Sequence, residues 1–423
     1  MKRSQTVVLV AALACAFTLI GCKSQNNSLP PAKAELVQEI SNGCAFPTSS
    51  AATPEQTAWE MFIAANCPSN SSKVVWENWV EQLQVYPAGG DTSQALLAQE
   101  KPTPRLHGSP LAQTRARQLH LRPHALAVPS TSPCPPMQGP PPNVVPNATV
   151  CEETRLNPDA QAFVVNSGYQ IRSGQTSAAK KGVDIEFPAP AVEVKVDWIP
   201  SSDFNPQFSC SQPPPGVHLE TIDGVCYAMV GMHISSKLLK NWLWATFEPQ
   251  SMLTNPLRCV TFGPCNDPWG SSPATSSGGA SGFTQQTPAL QSVMKQANLS
   301  PEFMNYRLDG VQLDFTAPNG KTPTLLGNSI IEGENVGLTA GQASCITCHS
   351  SSSISNSGVD KGDTLGAPVG PQYKIPAGWI ARDFVWSLGI ACPGGDSGIR
   401  PSESPCKSNP QNVKNPGKTG GGS

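Results

Sequence analysis

The stretch GQASCITCHS, residues 341–350, places Cys345 and Cys348 three positions apart with His349 directly after them. Thiols at this spacing can each bond one vinyl group on a single edge of a porphyrin. The adjacent imidazole then reaches the iron as proximal axial ligand. Two other chemistries use paired cysteines. A thiol–disulfide CxxC wants a thioredoxin-like βαβ surround, which these flanks do not spell. A zinc site wants a second ligand pair, and none is suitably spaced nearby. The reading is therefore covalently attached haem c, one per chain, since the motif occurs once. For the fold it predicts a mostly helical, cytochrome c-like haem domain over residues 321–400. WIARDFVWSLGIA, residues 379–391, reads as a helix of that domain, with Trp379, Ile380, Phe384, Val385 and Leu388 as its apolar stripe. Arg382 and Asp383 would face away from that stripe or meet a haem propionate.

The second iron ligand is not set by the motif. No Met and no His follows His349, so a distal ligand has to come from upstream. His233 and Met232 are the candidates, and because neighbours on a strand point to opposite faces, only one of them can face the haem. Met294 and Met304 lie nearer in sequence. An unusual ligand such as Lys or Tyr, or an open iron position, are the alternatives. In an open site, His233, Lys195, Glu248 and Glu332 are the polar groups available.

Upstream the sequence predicts an α+β domain over residues 51–320, with antiparallel strands and long Pro-rich loops. PEQTAWEMFIAAN, residues 54–66, has Trp59, Phe62 and Ile63 at helical spacing. VVWENWVEQLQVY, residues 74–86, suggests a further helical turn or two. AVEVKVDWIP, residues 191–200, alternates Val192, Val194, Val196 and Trp198 against Glu193, Lys195 and Asp197, the period of a half-buried strand. HLETIDGVCYAMVGMHISS, residues 218–236, carries an Asp223-Gly224 turn signal for a hairpin. KLLKNWLWATFEP, residues 237–249, reads as helical or extended. Residues 271–282 read as a Gly/Ser linker and 284–305 as a helix. RLDGVQLDFT, residues 307–316, reads as strand with a turn at Asp309-Gly310. Between residues 87 and 146, prolines such as those of PCPPMQGPPPNVVP, residues 133–146, rule out regular helix.

The first 21 residues read as a lipoprotein signal: Lys2 and Arg3, an apolar run from Thr6 to Ile20, then Gly21 before Cys22, the position of lipidation. Residues 22–50 form a polar tether and 401–423 a disordered tail. Lys23 after Cys22 points to outer-membrane sorting, facing the periplasm. Of fourteen cysteines, Cys15 falls in the signal, Cys22 takes the lipid and two belong to the motif. The remaining ten suggest disulfides in an oxidising compartment, paired sequentially: Cys44–Cys67, Cys134–Cys151, Cys210–Cys226, Cys259–Cys265 and Cys392–Cys406. Charged residues make up only 14% and the net charge is −2, which excludes the basic footprint of a nucleic-acid binder.

Several segments resemble bacterial single-haem CxxCH cytochrome c family proteins exported as lipoproteins. They are TAWEMFIAANCP (57–68), VEVKVDW (192–198), HISSKLLKNWLWATFEP (233–249) with NPLRC (255–259), NYRLDGVQLDF (305–315), LLGNSIIEG (325–333) and DFVWSL (383–388). The resemblance implies a periplasm-facing protein with one haem and no settled reaction. Three functions remain open: electron transfer to a redox partner of unknown identity, oxygen or peroxide chemistry at an open distal iron, and a surface interaction lipoprotein with a structural haem. The lipid anchor is the expected membrane attachment in each.

Overall fold

Alternation along residues 192–198 produces a strand whose Val192, Val194, Val196 and Trp198 face one way, and the molecule is organised on that strand. Seven strands form one antiparallel sheet: β1 (Val80–Glu81), β2 (Cys151–Leu156), β3 (Val192–Pro200), β4 (Leu219–Ile222), β5 (Val225–Ser236), β6 (Leu243–Pro249) and β7 (Tyr306–Gln312). Their spatial order is β1-β2-β3-β5-β6-β7, with β4 paired to the start of β5. The structure is a computed structural model that describes residues 43–69, 73–86, 106, 134–250, 258–276, 284–334, 336–361 and 369–391. All of these belong to one unit that begins at Ser41. The β4–β5 turn has Asp223 at φ 51° and Gly224 at φ 82°, the positive angles that a two-residue hairpin turn requires.

One face of the sheet carries Val192, Val194, Val196 and Trp198 of β3, Met232 and Ile234 of β5, and Leu243, Ala245 and Phe247 of β6. Helix α1 (Pro54–Asn66) packs its Trp59, Phe62 and Ile63 into this core. Thr53 caps α1 by accepting the Gln56 N–H at 3.1 Å, and Pro54 sits at the first helical position, where it sacrifices no bond. Helix α4 (Pro288–Gln296) closes the same core with Leu290 and Met294.

The opposite face is more polar: Glu193 and Lys195 on β3, His233 and Ser235 on β5, Trp244, Thr246 and Glu248 on β6. In register, Lys195 pairs with His233, and His233 with Thr246. Helices α2 (Pro158–Asn166) and α3 (Arg172–Lys180) and the segment from Leu326 to Ala391 build a second core with this face, around Trp242, Trp244, Ile346, Phe384 and Leu388.

Four of the expected cysteine pairs are bridged: Cys44–Cys67, Cys134–Cys151, Cys210–Cys226 and Cys259–Cys265. Cys392–Cys406 lies outside the described residues, as do the signal segment, Cys22, the rest of residues 22–42 and the tail. No helix among the described residues is long and apolar enough to cross a membrane.

The structure corrects the expected fold class. The described residues of 321–400 do not form a mostly helical cytochrome c-like domain, and only four helices among all the described residues reach nine residues. The CxxCH motif is a single turn, α5 (Cys345–His349), and its flanks form a two-stranded ladder of β8 (Ser353–Ser355) and β9 (Trp379–Ala381). The expected helix over 379–391 is absent because tertiary partners override the local pattern. Its first residues pair with β8. Asp383 and Phe384 follow in the left-handed region at φ 48° and 69°, and only a 3₁₀ turn, Ser387–Ile390, comes after them. Buried polar side chains enforce that path. Arg382 pairs with Asp360, while Asp383 binds the Lys237 ammonium at 2.7 Å and accepts the Phe187 N–H at 2.8 Å. Neither side chain faces away into solvent.

Smaller expectations change for similar reasons. Of the helical and extended readings of residues 237–249, residues 243–249 take the extended one, as strand β6. Residues 307–312 run straight through Asp309-Gly310, which is a bulge against β6 and not a turn. The helix expected over 284–305 is confined to α4, followed by a 3₁₀ turn at Phe303–Asn305. Part of the expected linker pairs instead, with Ser271–Ser272 against Gln285–Gln286.

Candidate haem site

The α5 turn is anchored by a residue of the sheet. Gln312, at the end of β7, accepts the Ile346 N–H at 2.9 Å and donates from Nε2 to Ser344 Oγ at 2.9 Å. Ser344 Oγ in turn donates to Thr347 Oγ1 at 3.0 Å. The Thr347 hydroxyl donates to the Gly370 carbonyl, also at 3.0 Å. One side chain thus fixes where the turn starts and which way its cysteines project. Cys345 and Cys348 are the two described cysteines that carry thiols outside the disulfides. Burial, with Glu332 nearby, pushes the Cys345 thiol well above its ordinary pKa.

His349 Nδ1 lies 2.7 Å from the carbonyl oxygen of Phe384. A carbonyl only accepts, so Nδ1 carries the hydrogen and Nε2 keeps its lone pair. Burial lowers the His349 pKa to about 4, with Lys195 and His233 adding to the effect against the Phe384 hydrogen bond. The ring is neutral at pH 7, the form that ligates a metal. Trp244 packs against the imidazole with ring centroids 4.5 Å apart, and Phe384 packs on Trp244 at 6.1 Å.

The two distal candidates separate cleanly. Met232 is fully buried in the core on the α1 face, where Asn66 Nδ2 approaches its sulfur at 3.6 Å. Met61, Met229 and Met294 share that core and Met304 packs against it, while Met137 lies in a third cluster. No methionine among the described residues lines the core that holds the haem motif. His233 is on the motif side. Its Nε2 is buried without a hydrogen-bond partner, although Glu332 Oε2 is 3.3 Å away.

Glu332 belongs to the wide turn Ser329–Glu334, which Asn328 pins to the sheet through Thr246 Oγ1 at 2.9 Å. Gly231 makes that approach possible, since a Cβ there would meet Asn328 Oδ1 at 2.9 Å. Burial opposes the Glu332 charge, but His233 and Lys195 outweigh it and hold the carboxyl below its usual range. Burial likewise opposes the Lys195 ammonium, but Glu152, Glu332 and Asp197 raise its pKa above the ordinary lysine value. Glu248 stands apart from this group. It bonds Ser329 and Arg258 in a buried charge network, and burial with Asp309 beside it raises its pKa to about 8.

These residues fit a covalent haem: two thiols on one turn, an imidazole whose Nδ1–H is held so that Nε2 keeps its lone pair, and a second buried imidazole on the facing sheet whose Nε2 lies 3.3 Å from Glu332 Oε2. The sequence pattern points to Cys345, Cys348, His349 and His233 but not to Gln312 or the Phe384 carbonyl. Gln312 is visible there only as one polar residue in a strand. A backbone carbonyl has no side-chain signature. No family model matches this chain, and no curated protein or solved structure matches it.

Proposed function

We propose that this protein is a c-type cytochrome that transfers single electrons through one haem, exported as a lipoprotein anchored at Cys22 and facing the periplasm. When bound, the haem supplies a one-electron Fe(II)/Fe(III) couple. Cys345 and Cys348 would hold it by thioethers, and His349 Nε2 would ligate the iron. The observation that carries this reading is the 2.7 Å hydrogen bond from His349 to Phe384. A carbonyl on Nδ1 is the usual device for orienting a ligating imidazole and raising its basicity. His233 would supply the second ligand to the iron, since its register beside Lys195 and Thr246 puts it on the motif side and the described methionines lie elsewhere. Four disulfides agree with an oxidising compartment. The resemblance to bacterial single-haem cytochromes rests on the sequence segments and supports the same reading.

The test is the absorption spectrum of the matured protein with and without dithionite, then with carbon monoxide. Electron transfer requires a low-spin spectrum in both states and no response to carbon monoxide. A high-spin iron that binds carbon monoxide at once would contradict it. The result would favour peroxide or oxygen chemistry under His233, Lys195 and Glu332.

A further inference from the structure

We propose that Glu77, His218 and Glu220 form a binding site for one divalent transition-metal cation, separate from the haem motif. The three side chains come from different places. Glu77 sits on the 3₁₀ turn Trp76–Asn78, His218 directly precedes β4, and Glu220 lies within β4. His218 and Glu220 are two apart on extended chain, so they project to one face. Their ligating atoms and that of Glu77 all lie within 4.8 Å of one another, and His218 Nε2 is 2.8 Å from Glu77 Oε1. With metal bonds of about 2.0–2.2 Å, neighbouring ligand atoms stand roughly 3 Å apart and opposed ones roughly 4 Å. The His218–Glu77 pair already stands near the shorter of these separations, and a shift of under about 1 Å brings the widest the cluster allows to the longer one.

The donors are held by groups that are not themselves ligands. The His218 ring stacks on Phe303 at 4.5 Å and 29°, with Trp198 at 5.9 Å. Glu77 Oε2 accepts the Val74 N–H at 3.0 Å, which leaves Oε1 turned to His218. Burial works against the Glu77 charge, but His218 and Val74 overcome it and bring its pKa to about 2. Glu77 and His218 are buried, and Glu220 is partly exposed, so the cluster opens at one rim. Trp198 and Phe303 belong to the core on the α1 face, so the site and the haem turn lie on opposite sides of the sheet.

One imidazole with two carboxylates suits Zn²⁺, Mn²⁺ or Fe²⁺ better than Ca²⁺ or Mg²⁺, which favour all-oxygen sets. Lys73 is the competitor. Its ammonium lies 3.8 Å from Glu220 Oε1 on a side chain that is 42% exposed, so a cation can displace it into water.

Calorimetric titration of the haem-loaded, full-length protein with Zn²⁺ tests the site. Wild type takes up one equivalent, which Mg²⁺ and Ca²⁺ at equal concentration do not block. Glu220→Gln, a change at the partly exposed rim, weakens binding at least about tenfold, and His218→Gln does the same. Lys73→Gln tightens binding, an effect that a purely structural ion pair does not produce. Zn²⁺ also raises the thermal midpoint of wild type and not of Glu220→Gln. Equal Zn²⁺ isotherms in wild type and Glu220→Gln, or no uptake by wild type, would overturn the proposal.

Discussion

His349 and Phe384 are 35 residues apart in sequence, yet the imidazole Nδ1–H meets the Phe384 carbonyl at 2.7 Å. Phe384 reaches that position at φ 69°, directly after Asp383 at φ 48°. A non-glycine residue in the left-handed region costs about 1–2 kcal/mol. The surroundings must outweigh that cost, and Asp383 supplies the hold through Lys237 and the Phe187 N–H. Replacing Asp383 by Ala leaves the buried Lys237 ammonium poorly paired and frees the loop. The expected loss of stability is about 3–5 kcal/mol, read by urea unfolding. In the haem-loaded protein the same change alters the axial-ligand signature in electron paramagnetic resonance. An unchanged signature would mean that Phe384 does not orient the ligand.

His233→Ala distinguishes the two distal candidates. It turns a low-spin iron high-spin and opens it to carbon monoxide. Met232→Leu, a volume-conserving core change, costs less than about 1.5 kcal/mol and leaves the spectrum alone. The reverse pattern would place the sulfur, not the imidazole, on the iron.

Gln312→Ala removes the acceptor of the Ile346 N–H and the donor to Ser344 Oγ. A buried backbone donor left unsatisfied costs about 1–3 kcal/mol. Chemical denaturation of the haem-free chain should show that loss. Hydrogen exchange should show it concentrated in residues 344–350.

Glu81 is buried at the β1 edge of the sheet, and burial, with Glu153 nearby, raises its pKa to about 8 despite the Leu83 N–H and Arg155. The folded protein therefore binds this proton more tightly than the unfolded chain. The stabilisation is complete below the ordinary carboxyl pKa and is lost as pH rises through about 8. Each factor of ten in proton affinity corresponds to about 1.4 kcal/mol, so the loss amounts to a few kcal/mol. Urea midpoints from pH 4 to 9 should fall along this slope in wild type and stay flatter in Glu81→Gln.

The sheet was legible where one face is apolar and its neighbour polar. Val192, Val194, Val196 and Trp198 show period two, and the Asp223-Gly224 pair names its own turn. Helix α1 was legible because Trp59, Phe62 and Ile63 recur at helical spacing, and all three are buried in the core. The segment over 379–391 was misread because its apolar residues satisfy a helical stripe, and nothing local reveals that Arg382 and Asp383 will be buried against Asp360 and Lys237. Those partners are distant in sequence and override propensity. At the site, the covalent motif announces itself within five residues. The face opposite it depends on strand register, so His233 could be narrowed to a pair with Met232 but not chosen.

The central claim is that Cys345 and Cys348 carry a porphyrin. Intact mass spectrometry of the mature protein, produced with haem-maturation machinery and compared with Cys345→Ala/Cys348→Ala, tests it most directly. The expected result is one covalently added haem in wild type and none in the double variant. Two alkylatable thiols in wild type at the unmodified chain mass would contradict it.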